Sequence, residues 1–189
     1  MNVFDFDNTI YDGESGIHLF LFYLKRHPSL IRHAPRVIQG LIDYKRHKIS
    51  LDDVLERYAD IFHEFLSRIQ DFDGEIREFW DRHEHRLRPC IQALRQPGDL
   101  VISASPEHSL KEVCGRIGFH RYIGTRINEE TASFDFICYR ENKVRAFREQ
   151  CPGEEIDWFF TDSMNDKPLM DIARHVVMVG KRGRMVKVK

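Results

Sequence analysis

The feature that most constrains this chain is a change of hydrophobic period at Pro89. From about residue 14 to residue 88, apolar residues recur at helical spacing. From Pro89 onward, short continuous apolar runs (DLVISA, IDWFF, VVMVG) alternate with helical segments such as ENKVRAFREQ and NDKPLMDIARH. One more apolar stretch, MNVFDF, precedes the helical block. Strand, helix, strand, helix in that order argues for a parallel α/β sheet. A lone strand ahead of a helical block makes that block an insertion. The expected organisation is therefore an α/β core from residues 1–13 and 89–189, with an all-helical subdomain of residues 14–88 inserted after the first strand. A chain of 189 residues, 42% of them hydrophobic, can bury one substantial core and a small subdomain beside it.

Four helices are expected in the insertion. Ile17 to Leu24 (IHLFLFYL) is apolar all round, as in a buried helix, and Pro28 interrupts it. The second carries Val37, Ile38, Leu41 and Ile42 on one face. The third opens at Ser50 as N-cap, with Asp53 in the capping-box position. Its stripe is Leu51, Val54, Leu55, Tyr58, Phe62, Phe65, Leu66 and Ile69. The fourth uses Ile76, Phe79, Trp80 and Leu87.

Charge and composition exclude several classes. The net charge is -1 and the pI about 6.8, without the basic bias of a nucleic-acid binder. The basic tail KRGRMVKVK reads as a solvated edge strand and terminus. Cys90, Cys114, Cys138 and Cys151 form no CxxC pair and read as reduced thiols of a cytoplasmic protein. His83 and His85 lie two apart on a helical segment, point to different faces and make a poor metal pair. IHLFLFYL is too short for a membrane span of ~20 residues. No signal peptide is expected, because the functional-looking segment begins at residue 3.

The chemistry is concentrated at strand ends, where ligands of parallel α/β sheets bind. The first strand ends in Asp5 and Asp7, two carboxylates two residues apart, a costly arrangement unless a cation or a reaction uses them. The second ends in Ser103, with Ser105 just beyond. IDWFFTD ends in Asp162, followed by Asn165 and Asp166, and Lys143 opens the helix between. Carboxylates, a lysine and a hydroxyl converging on one cleft suit phosphoryl transfer, with Mg²⁺ neutralising Asp5, Asp7 and Asp162. Each residue alone has a plainer reading. The first motif reads equally as an Asx turn, Lys143 as a surface lysine and Asp166 as a helix cap. Ser105 reads first as an N-cap, with Pro106 in the first turn. The order and placement of all four signals together carry the functional reading.

These segments resemble the haloacid dehalogenase (HAD) superfamily of phosphohydrolases. DFDNT matches its DxDxT motif, and VISAS resembles its second motif. ENKVRAF resembles the third, and FFTDSMNDKPLM the fourth, spanning residues 3 to 170 in the family's order. The insertion resembles the cap of the phosphoserine-phosphatase-like branch. The resemblance implies a Rossmann-like parallel sheet core and roles for individual residues. Asp5 is the nucleophile, and Asp7 the general acid and base whose main-chain carbonyl also helps hold Mg²⁺. Ser103 binds a phosphate oxygen, Lys143 neutralises phosphate and nucleophile, and Asp162 coordinates Mg²⁺. Asp166 supports the site and Asn165 contacts phosphate.

Some positions depart from that pattern. Phosphoserine phosphatases resemble Ser-Gly-Gly at the second motif, where this chain has Ser103-Ala104-Ser105-Pro106. The fourth motif usually begins Gly-Asp, and here it is Thr161-Asp162. Glu14 sits where those enzymes place an acid that reads the substrate amine, while Arg57 is only a near match for their arginine. The expected function is Mg²⁺-dependent hydrolysis of a small phosphomonoester through an aspartyl-phosphate, without nucleic-acid partners. One alternative is a lipid-phosphate phosphatase touching a membrane, motivated by IHLFLFYL before Lys25 and Arg26 and not favoured. The other is a receiver-like phospho-aspartate switch.

Overall fold

Alternate side chains of each central strand enter different cores, and this period of two builds the molecule. The computed structural model describes residues 1–45, 57, 59–69, 71–128, 131 and 133–189. Strand β1 (Val3–Phe4) pairs in parallel with β2 (Leu100–Pro106) on one side and β5 (Trp158–Thr161) on the other. β2 pairs in parallel with β3 (Arg121–Asn128), and β5 with β6 (His175–Val179). β4 (Ser133–Phe136) and β7 (Met185–Lys187) close the edges antiparallel, giving the order β4-β3-β2-β1-β5-β6-β7. The fold is α/β and Rossmann-like, with a parallel centre and two antiparallel edges. The basic tail supplies the exposed edge strand β7, as its composition suggested.

Val3, Leu100, Ile102, Phe159 and Val176 point to one face of the sheet. There they pack with Ala146 and Phe147 of α7 (Glu141–Gln150) and Leu169 and Met170 of α8 (Lys167–Ile172). Phe4, Val101, Phe160 and Val177 point to the other face. They meet Leu110 and Val113 of α6 (Glu107–Ile117) and side chains of the helical insertion. The Phe4 and Phe160 rings stack with centroids 4.6 Å apart. Gly124 of β3 lies so close to the start of α6 that an added Cβ would sit 2.7 Å from Glu107 Cα and 2.8 Å from the Ser105 carbonyl oxygen. Only glycine fits that approach.

The insertion between β1 and β2 holds α1 (Ser15–Arg26), α2 (Ala34–Lys45), α3 (Ala59–Arg68) and α4 (Phe72–His83), then the short α5 (Pro89–Gln92). α1 is not buried all round. It buries Leu19, Phe22, Tyr23 and Leu24, whereas Leu21 is half exposed, because one face of this twelve-residue helix meets solvent. Buried Glu75 of α4 ties α1 down through Arg26 and His27, each at 3.3 Å. On α2, Val37 is half-buried, while Ile38 and Ile42 are exposed. Ser50, Asp53, Leu51, Val54, Leu55 and Tyr58 lie outside the described residues, as do the side chains of Phe62, Phe65 and Leu66. α4 buries Ile76, Phe79 and Trp80. Leu87 is buried too, but beyond the helix, in a bridge to Tyr11.

That bridge is part of a clasp where the insertion leaves and rejoins the sheet. Asp12 N donates to Arg86 O and Arg88 N to Ile10 O, both at 2.8 Å. The buried Arg88 guanidinium donates to the carbonyls of Asn8 and Thr9 and pairs with Asp12 Oδ1 at 2.6 Å.

Candidate active site

The carboxyl ends of β1, β2 and β5 lie side by side at the centre of the sheet, and their terminal residues meet there. Asp5 follows β1 directly, its amide donating to Phe160 O of β5 at 2.8 Å. Its side chain is buried, 6% exposed. Lys143, on the first turn of α7, reaches in from the other half of the chain and is 3% exposed. Its ammonium lies 2.8 Å from Asp5 Oδ1 and 2.7 Å from Asp166 Oδ1. The Thr161 hydroxyl donates to Asp166 Oδ2 at 2.8 Å. The departure from glycine at this position therefore has a task, completing the hydrogen bonds of a buried carboxylate. Lys143 is not a surface residue, and Asp166 makes no side-chain cap.

Two carboxylates around one ammonium leave a net negative charge in a buried place. Burial pushes the Asp5 carboxyl well up; Lys143 opposes this, and the charges of Asp166 and Asp162 add to it. Burial alone would lower Lys143, but Asp5 and Asp166 outweigh it and hold the ammonium protonated. Asp162 is pushed up to about 6, first by burial, then by the charges of Glu14, Asp166 and Asp7. A cation would relieve this crowding. Among the described residues, no three His, Cys, Asp or Glu side chains form a closed metal cage. What Asp5 and Asp162 offer is a partial set of hard oxygen donors, the kind completed by water and substrate around Mg²⁺.

Asp7 is held by a different set of groups. Ser15 N, at the start of α1, donates to its Oδ1 at 2.8 Å, and the Ser105 hydroxyl donates to its Oδ2 at 2.9 Å. A carboxylate at a helix N-terminus is also favoured by the helix dipole. Burial nevertheless raises the Asp7 carboxyl, with the Ser15 and Ser105 hydrogen bonds pulling it back. Ser105 is not the N-cap expected from Ser-Pro. β2 continues through Pro106, Pro106 takes the cap position without a side-chain bond, and α6 starts at Glu107. The register of β2 against β3 shifts between Ile102 and Pro106, the stretch that carries both serines. Ser103 is buried, and its Oγ accepts from Ser105 N at 3.1 Å.

Glu14 stands exposed at the rim, its Oε1 accepting from Asn8 Nδ2 at 3.1 Å. Its charge raises both Asp7 and Asp162. Asn8 has φ of 56° and Gly13 φ of 127°, left-handed positions that turn the chain between strand and insertion. Asn165 is exposed and accepts from Arg140 at 3.3 Å. Sequence reasoning missed Thr161, Ser15 and Arg88, and it read Ser105, placed just beyond the second strand end, first as a cap. Only the Thr-for-Gly and Ser-for-Gly departures pointed toward two of them.

Solved structures share this fold at low identity. A protein of unknown function from Bordetella pertussis Tohama I matches with a TM-score of 0.79 at 15% identity, over 94% of this chain and 88% of its own. A phosphoserine phosphohydrolase-like protein from Francisella tularensis subsp. tularensis SCHU S4 matches with a TM-score of 0.57 at 18% identity, covering 94% and 87%. The putative HAD-hydrolase YfnB from Bacillus subtilis, bound to magnesium, matches with a TM-score of 0.55 at 14% identity, covering 97% and 90%. No curated protein matches the chain. The sequence model of the haloacid dehalogenase-like hydrolases matches residues 3–171, from the first strand to within one residue of the end of α8. The chain belongs to the haloacid dehalogenase-like hydrolase family.

Proposed function

We propose that the protein is a Mg²⁺-dependent phosphatase that hydrolyses a small phosphomonoester through an aspartyl-phosphate. The observation that carries this is the buried Asp5–Lys143–Asp166 chain beside a separately held Asp7. One carboxylate is neutralised on one side and fixed as a nucleophile. The other is held by uncharged donors only, and so can exchange a proton. Asp5 Oδ attacks phosphorus, the bond to the leaving oxygen breaks, and that oxygen takes a proton from Asp7. Asp7 then takes a proton from water as the water oxygen attacks phosphorus and releases Asp5. Lys143 keeps its charge throughout and balances the phosphoryl oxygens; Ser103 and Asn165 bind them. Asp5, Asp162 and the main-chain carbonyl of Asp7 would hold Mg²⁺, which supplies positive charge to the transferring phosphoryl group.

Residues 14–88 act in this reading as a cap that shields the intermediate and selects the leaving group, with Glu14 at its entrance. Four free cysteines, three of them buried, support a reducing, cytoplasmic setting. The lipid-phosphate alternative loses its main motive. Most of IHLFLFYL packs inward, and Arg26 is engaged by Glu75 and Glu78. Among the described residues, no helix is long and apolar enough to cross a membrane. An Asp7 held ready for proton transfer favours turnover over a stored phospho-aspartate. The test is phosphate release from an aryl phosphate with Mg²⁺ present. Asp5→Asn should remain folded and lose turnover; substantial activity in that variant would overturn the assignment.

A further inference from the structure

Asp7 is gripped from two sides by groups that belong to different parts of the fold. Ser15 N comes from the first helix of the insertion and the Ser105 hydroxyl from the end of β2, at 2.8 and 2.9 Å. The two serine hydroxyls are themselves 3.0 Å apart, and the residues are 3% and 5% exposed. Asp7 itself is half-buried. We infer that Ser105 is a positioning residue for Asp7, holding its carboxylate in the orientation that serves the leaving oxygen and tying that orientation to the seating of α1. This rests on the phosphatase reading.

The physical need is rotational. The terminal torsion of an aspartate is broad, so a carboxylate with one donor swings. A second donor from a different element fixes both oxygens, and each keeps a second lone pair for the substrate side. Ser105 can supply it because β2 does not end at Ser103. The strand runs on to Pro106, and Thr125 Oγ1 of β3 braces it by donating to Ala104 O at 2.7 Å. Gly124, with no Cβ, lets β3 pass close to the Ser105 carbonyl. An alanine at 105 would preserve this backbone and remove the donor to Asp7 together with the hydroxyl contact to Ser15.

In the reaction, Ser105 keeps its own proton. The leaving oxygen receives its proton from Asp7, and only a basic leaving group needs that transfer. A mispositioned Asp7 therefore slows phosphoryl transfer from alkyl phosphates and spares that from esters of acidic phenols, while hydrolysis of the aspartyl-phosphate, which also uses Asp7, slows alike for every ester. The experiment uses the full chain with saturating Mg²⁺ and a series of phosphomonoesters from p-nitrophenyl to simple alkyl. For Ser105→Ala, kcat/KM, which reports phosphoryl transfer to Asp5 alone, should fall about tenfold or more on alkyl phosphates, against less than about threefold on p-nitrophenyl phosphate. Ser105→Thr, which restores the hydroxyl, should recover most of the alkyl rate. In an Asp7→Asn background, Ser105→Ala should remove little more.

Equal losses of kcat/KM on both ester types, no loss on either, or a loss that adds in full to that of Asp7→Asn would each overturn the inference. So would failure of a normally stable Ser105→Thr protein to recover. A wild-type protein that releases phosphate from no ester would instead remove the phosphatase reading. An active wild type with an unaffected Ser105→Ala removes the positioning role alone.

Discussion

Replacing Lys143 by methionine tests the centre of the site through stability as well as activity. The side chains of Lys143, Asp5 and Asp166 are 4%, 9% and 4% exposed. Methionine matches the lysine stem in length and shape but leaves both carboxylates without their cation. Removing one partner of a buried ion pair costs about 3–5 kcal/mol. Asp5 can limit that loss by taking up a proton, each unit of raised pKa being worth about 1.4 kcal/mol. Its carboxyl is already raised by burial and loses in the variant the ammonium that pulled it down, so its folded-state pKa lies further above the unfolded value near 4. The folded state then binds more protons than the unfolded one. Its stability is full below the unfolded pKa and is lost as pH rises through the folded pKa. The deficit against wild type should be about 3 kcal/mol at pH 8 and shrink to about 1 kcal/mol at pH 5. Urea denaturation followed by Trp80 and Trp158 fluorescence, with a chelator present throughout, measures both. Asp166→Asn in the Lys143→Met background should recover part of the loss at pH 8, since it removes one of the two charges. A variant as stable as wild type at pH 8, or a deficit independent of pH, would refute the electrostatic account. Phosphatase turnover should vanish in either case.

Chelation should abolish turnover and added Mg²⁺ restore it, while Ca²⁺, with its looser coordination, should inhibit; normal turnover under chelation would mean that the carboxylates serve no metal. Glu14→Ala should alter the preference among phosphoesters far more than the rate on a small aryl phosphate, because Glu14 lies at the rim. A uniform loss on all substrates would move it into the catalytic or structural set. Burial pushes the Cys114 thiol from 9.0 up to about 12. The unfolded thiol therefore ionises first, and this contribution to stability is lost as pH rises from about 9 to about 12. Cys114→Ala should flatten that alkaline decline in urea titrations under reducing conditions, and an unchanged slope would show that the thiol keeps its ordinary pKa.

Much of this protein is decided by local pattern. Val3-Phe4, Leu100-Val101-Ile102 and Trp158-Phe159-Phe160 are short apolar runs bounded by polar residues. Such runs form central parallel strands whatever surrounds them, because both faces must be buried. Asp5, Ser103 and Asp162 come at or just past the ends of those runs, and Asp7 two residues after Asp5, so their meeting at one end of the sheet is already implied by the parallel order. Other features depend on contacts between residues far apart in the chain. Whether Lys143 is a surface lysine or a buried counter-ion depends on where α7 docks, which its own sequence does not state. Ser105 reads locally as a cap because Ser-Pro-Glu is a good helix start. Pairing with β3 keeps it in strand geometry instead and turns its hydroxyl toward Asp7, 98 residues away. The clasp of Arg88 on Asn8, Thr9 and Asp12 is likewise invisible to any periodicity. Hydrophobic pattern is a property of neighbours in sequence, and it identifies elements. Hydrogen-bond partners across the fold are set by tertiary packing, and that packing decides which carboxylate is neutralised, which is held, and by what.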